Sequence, residues 1–287
     1  MDGYSAIIKS IFDQQRENGC WKMLKKSDRH YPDLLHYSPN FKATLWTLIL
    51  LADLCHDSSD VRIKKPLKII RNHFYDPKAG IYSLKEDHFP IPCLNGNIIY
   101  LECYFTGSIS GRSVKAIEFF NKYQRFDDGQ YVTEKNKYCE NKSCYGKHAC
   151  YWGVVKLFKG LSFIPQTKRN SSMKMLLKKC IDFILLHNVY LSSRRKDRVM
   201  VKDIDKLTFP NMYRSDFLEI LWLLKREKVR SEKVGQAVDL LRSKRMPDGR
   251  WNLEKKINNM AASIGEPGRP NEFVTRRGKE VIEFYGL

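Results

Sequence analysis

Two segments, Gln14-Gln-Arg-Glu-Asn-Gly19-Cys-Trp21 and Lys244-Arg-Met-Pro-Asp-Gly249-Arg-Trp251, carry the same Gly-x-Trp ending near opposite ends of a 287-residue chain. Two weaker copies lie between them, Asp76-Pro-Lys-Ala-Gly80-Ile-Tyr82 and Gln124-Arg-Phe-Asp-Asp-Gly129-Gln-Tyr131. Successive terminal aromatics stand 61, 49 and 120 positions apart. The last gap is twice about 60, so one degenerate unit is expected there, with Asn188-Val-Tyr190 as its remnant. A period of that size suits two helices and a turn.

The hydrophobic patterning agrees. Val114, Ile117, Phe120 and Tyr123 form one amphipathic stripe, and Val234, Ala237, Val238 and Leu241 form another. Both follow the spacing of a helix with one apolar face. After the turns come stretches apolar nearly all round: Ala43–Leu54, Leu94–Phe105, Ala149–Ile164 and Phe217–Leu224. A helix apolar on every side must be covered on every side. Each unit therefore offers an outer, half-solvated helix and an inner, covered one. Glycine in the turn permits the positive φ of a helix C-terminus. Ser38-Pro39-Asn40, Pro90-Ile-Pro92, Phe209-Pro210-Asn211 and Arg269-Pro270-Asn271 are helix-start signals. Strand signals are weak, Val199-Met-Val201 being too short, and Asn271–Tyr285 reads as a closing helix. The expected fold is all-α, an α/α toroid of about five helical hairpins forming a single domain over residues 1–287.

At this level the turns resemble the Gln-x-x-x-x-Gly-x-Trp repeats of the terpene cyclase and protein prenyltransferase superfamily. The resemblance spans roughly residues 5–285. It implies a barrel of inner helices with a central cavity at one end, and says less about chemistry.

Composition bounds the function. Lys and Arg number 51 against 32 Asp and Glu, a net charge of +19. Hydrophobic residues at 43% and aromatics at 12% exclude a disordered or collagen-like chain. No apolar run approaches the roughly 18 residues of a membrane span, and no basic-then-apolar leader opens the chain. A cytoplasmic protein is expected, with its 8 cysteines reduced. The charge admits a nucleic acid, a phosphorylated substrate or peripheral contact with a membrane as partner.

The densest chemistry is Cys139-Glu-Asn-Lys-Ser-Cys144-Tyr-Gly-Lys-His148-Ala-Cys150-Tyr-Trp152. Thiolate and imidazole are zinc ligands, and a helix N-terminus favours thiolate. The spacing matches no standard zinc finger, and buried cysteines with a capping histidine are the plain alternative. The resemblance sharpens the reading. His148-Ala-Cys150-Tyr151 is similar to the His-Thr-Cys-Tyr that opens an inner helix in protein prenyltransferase β subunits, where the His is a zinc ligand. The preceding inner helix there supplies a Cys with an Asp before it. Cys93 matches that Cys, and the Asp is absent here. The expected Zn2+ ligands are Cys93, Cys144, His148 and Cys150, with Cys139 as the alternate fourth.

No Asp-x-Asp-Asp acid motif of the class II cyclases and no Asp-rich diphosphate motif is present. Asp216, Tyr213 and His36 are the candidate catalytic residues, each near the start of an inner helix. Trp46, Asn97, Trp152, Arg194 and Arg198 are the candidate substrate-binding residues: indoles toward an apolar cavity, arginines for phosphate at the rim. Trp222 sits on a further inner helix. Each has a plainer reading, as core packing, helix cap or solvated loop. Two functions follow: a zinc-bearing enzyme acting on a hydrophobic, isoprenoid-like or phosphorylated small molecule, or a nucleic-acid-binding or non-catalytic scaffold with structural zinc.

Overall fold

The computed structural model describes residues 2–22, 41–84, 90–129, 144 and 149–286. The chain is mostly helical. In order, the helices are α1 (Asp2–Phe12), α2 (Thr44–Asp53), α3 (Val61–His73), α4 (Pro92–Thr106), α5 (Gly111–Tyr123), α6 (Tyr151–Phe163), α7 (Ser171–Leu186), α8 (Phe217–Arg226), α9 (Gly235–Ser243) and α10 (Glu272–Tyr285). The strands β1 (Tyr75–Asp76) and β2 (Ile81–Tyr82) pair antiparallel around the Gly80 turn, Tyr75 opposite Tyr82. Patterning missed this hairpin because two residues per strand carry no period.

Odd and even helices differ as their sequences require. Every residue of α2 is buried, whereas α3 buries only Ile63, Pro66, Leu67 and Ile70. The even helices pack in chain order: α2 on α4, α4 on α6, α6 on α8, α8 on α10. Residues of the first and last pairs also meet. The Arg277 guanidinium of α10 lies 3.7 Å from Asp53 of α2, and Gln14 donates to the Ala261 carbonyl at 2.7 Å.

The turns explain the repeat. The Trp21 indole N–H donates to the Ile11 carbonyl near the end of α1, and its backbone N–H donates to Thr44 Oγ1. Trp251 does the same with Leu241 and Thr275. Each tryptophan thus satisfies an end carbonyl of one helix and pins it to the next. In the degenerate unit between α7 and α8, Asn188 and Val189 adopt positive φ where the other turns use glycine. Two of the helix-start signals hold, Asn271 accepting from Phe273 and Val274 and Pro92 opening α4; Phe209-Pro210-Asn211 instead lies in a loop, α8 being capped by Asp216, and Ser38-Pro39-Asn40 lies outside the described residues.

The α4–α6 contact is backbone on backbone. A Cβ on Gly96 would lie 2.2 Å from the Lys156 carbonyl oxygen, and one on Gly160 would lie 2.5 Å from that of Gly96. Among the described residues no helix is long and apolar enough to cross a membrane.

Candidate functional site

Three predicted ligands lie near the starts of α4 and α6, and two of them bond to each other. Cys93 is the second residue of α4 and is buried. Cys150 is the N-cap of α6. The Cys144 thiol donates to Cys150, and the backbone N–H groups of Gly153 and Trp152 also point at that sulfur. These bonds favour its charged form, so the Cys150 thiol lies below its ordinary value. The Cys144 thiol is pushed up, by the proton it donates and by burial, with Cys93 adding to the effect. Tyr213 stands beside the same three sulfurs; burial and their proximity raise its phenol. The seven described cysteines form no disulfide.

His148 and Cys139 lie outside the described residues, as does His36. Among the described residues no group of three Cys, His, Asp or Glu stands at metal-binding spacing. The paired thiols at a helix N-terminus are nonetheless the donor chemistry that zinc takes.

Asp216 is the N-cap of α8. Its Oδ1 accepts from Glu219 N at 2.7 Å and its Oδ2 from Thr208 N at 2.6 Å. Both oxygens are therefore committed to backbone donors, the arrangement of a helix cap. Burial pushes this carboxyl up to about 7. Trp46 is fully buried and meets Phe41 edge-on, as a core residue does. Asn97 is buried on α4, and its Nδ2 has no partner among the described residues. Trp152 is half-buried in the first turn of α6. Arg194 docks on the Asp128 carbonyl at 2.7 Å, and Arg198 is exposed beside Asp197. The two arginines sit on a loop braced against the Gly129 turn, where Ser193 also bonds Asp128.

No protein-family model matches this chain, and no curated protein does.

The charges at its centre escaped sequence reading. Lys159 Nζ lies 2.8 Å from Asp53 Oδ1 and 2.9 Å from Glu219 Oε1. Lys156 Nζ lies 2.9 Å from Glu219 Oε2 and donates to the Asn211 carbonyl at 3.0 Å. Tyr100 donates to Asp53 Oδ1, and Arg277 donates to Asn211 Oδ1. Apart from Asn211, which lies in the loop before α8, these groups come from α2, α4, α6, α8 and α10, and all are buried. Burial disfavours the charged Lys156, pulling it below its ordinary value, while the lysines and Arg277 hold Glu219 down at about 2. A signal did exist: Lys156, Lys159 and Glu219 interrupt helices that have no solvent face, so their charges must meet inside.

Proposed function

We propose that the five helical pairs close as an α/α toroid like that of the terpene cyclase and protein prenyltransferase superfamily, and that the chain is a zinc protein of that type. The observation that carries this reading is the bonded thiol pair of Cys144 and Cys150 at the start of α6, with Cys93 of α4 near enough to act on Cys144. The contacts of Arg277 and Gln14 between the last and first pairs support closure. Cys93, Cys144 and Cys150, with His148 from the same loop, would hold the metal. Bound zinc supplies Lewis acidity and activates a thiol or water at neutral pH. Tyr213 stands where it orients a hydrophobic or phosphorylated small molecule against those sulfurs. Asn97 offers a buried donor on the same helix as Cys93.

The buried ion network favours a second reading, a scaffold with structural zinc, because it fills space between the even helices with charged side chains rather than a ligand.

Metal content by elemental mass spectrometry tests the first reading in wild type, Cys93→Ala and His148→Ala, each purified with zinc under reducing conditions. About one zinc per chain, lost in both variants while the helical circular dichroism survives, is the expected result. Loss of the helical signal together with zinc moves the conclusion to the scaffold. A wild-type protein without zinc overturns both.

A further inference from the structure

At the far end of the even helices is a concavity. Cys93 and Tyr104 are eleven residues apart on α4, about 16 Å along the axis. Around Tyr104 the helices leave a pocket of about 320 Å3. Its wall is aromatic: Tyr100 and Tyr104 from α4, Phe163 from α6 and Trp222 from α8. Tyr100 meets Phe163 edge-on at 4.6 Å, and Phe163 and Trp222 lie 6.1 Å apart. Such a surface accepts a flat or elongated apolar body.

The polar groups define the rest of the ligand. Asp53 lines the pocket, is 3% exposed, and binds Tyr100 and Lys159 through Oδ1. Its Oδ2 has no partner among the described residues. A buried carboxylate oxygen left in this state calls for a donor. Arg277 also lines the pocket and is buried, so a neutral donor suits the position better than an ammonium. At the mouth, Arg276 is exposed; its guanidinium donates to Cys55 Sγ at 3.4 Å and lies 5.7 Å from the Phe273 ring. Arg226, also lining the pocket, lies over the Phe163 ring at 4.1 Å. Glu280 is already taken by Trp222 Nε1 and Lys225. The mouth therefore favours an anion.

We infer that this pocket binds a small apolar, ring-bearing anion that carries a hydroxyl, the hydroxyl donating to Asp53 Oδ2 and the negative group facing Arg276. The inference does not rest on the cysteine site or on zinc.

The test uses 6-hydroxy-2-naphthoate as the probe, with its methyl ether and its methyl ester, titrated calorimetrically into the full chain. Exposed Cys55 at the mouth provides a second readout, its protection from a thiol reagent followed by peptide mass mapping. Saturable one-to-one binding with Cys55 protected is expected. The methyl ether, which cannot donate to Asp53, should bind about ten- to a hundredfold more weakly. Arg276→Ala, an exposed substitution, should weaken the acid about two- to fivefold and leave the ester unchanged. Arg242→Ala, on the surface beside Asp239 and away from this pocket, should change nothing. Absence of saturable binding up to about 10 mM overturns the proposal. So does binding that is indifferent to the methyl ether, or to Arg276→Ala.

Discussion

Lys159 of α6 and Asp53 of α2 form an ion pair of 2.8 Å although 106 residues separate them and both side chains are about 1% exposed. Glu219 shares the same ammonium. Such a pair is tolerated because each charge has partners, with Tyr100 adding a donor to Asp53.

Removing one charge exposes that dependence. Lys159→Met should destabilise the chain by about 3–5 kcal/mol, since Asp53 and Glu219 both lose a buried partner. Guanidinium denaturation followed by circular dichroism measures it. A loss below about 1 kcal/mol would mean that the pair behaves like a surface bridge.

Trp21 and Trp251 make equivalent bonds, so their truncations should cost alike. Trp21→Phe and Trp251→Phe each remove the indole donor from a buried helix-end carbonyl, Ile11 keeping only the longer bond from Gln14 N at 3.3 Å, a loss of about 1–3 kcal/mol plus the smaller ring. Chemical denaturation of the two variants should give matching shifts in midpoint. A large loss at one site alone would contradict the equivalence of the two turns.

Gly96→Ala and Gly160→Ala should each cost about 3 kcal/mol or more, because the added methyl meets backbone oxygen and α4 and α6 must separate. Gly111→Ala, in the first turn of α5 with open space around it, is the control. It should be neutral or stabilising by a few tenths of a kcal/mol. Thermal melts of the three variants rank them.

Asp216 makes stability depend on pH. Its carboxyl is pushed up to about 7 by burial, against the cap hydrogen bonds from Glu219 and Thr208 and the charge of Arg277; the Glu219 carboxylate adds to the rise. An unfolded Asp titrates near 3.9. The folded protein therefore holds a proton that the unfolded chain has released between about pH 4 and 7. The contribution of this group to stability is full below about pH 4 and is lost as pH rises through about 7. His187, whose pKa burial lowers, works in the opposite direction, favouring the folded state as pH rises. The difference between wild type and Asp216→Asn isolates the aspartate. As pH rises from 5 to 8, the denaturant midpoint of wild type should fall relative to that of Asp216→Asn; a constant difference would contradict the assignment.

The alternation of covered and half-solvated helices was legible residue by residue. Ala43–Leu54 has no polar face and becomes the buried α2; Val114, Ile117 and Phe120 trace one stripe and lie on α5. Asn271 and Pro92 announce the helix starts they occupy. The placing of Cys93 at the start of one inner helix and Cys150 at the start of the next was legible from a resemblance rather than from spacing. The pocket at Tyr104 was not legible, and neither was the pairing of Lys159 with Asp53.

The sequence alone determined the local structure: periodicity, caps and turn glycines act within a few residues, so each helix and its covered face are written where they stand. Only the tertiary structure decided which charges share the centre and which ring edges form a wall. Those relations join residues fifty or a hundred positions apart, and no period or spacing along the chain encodes the distance between two side chains that packing brings together.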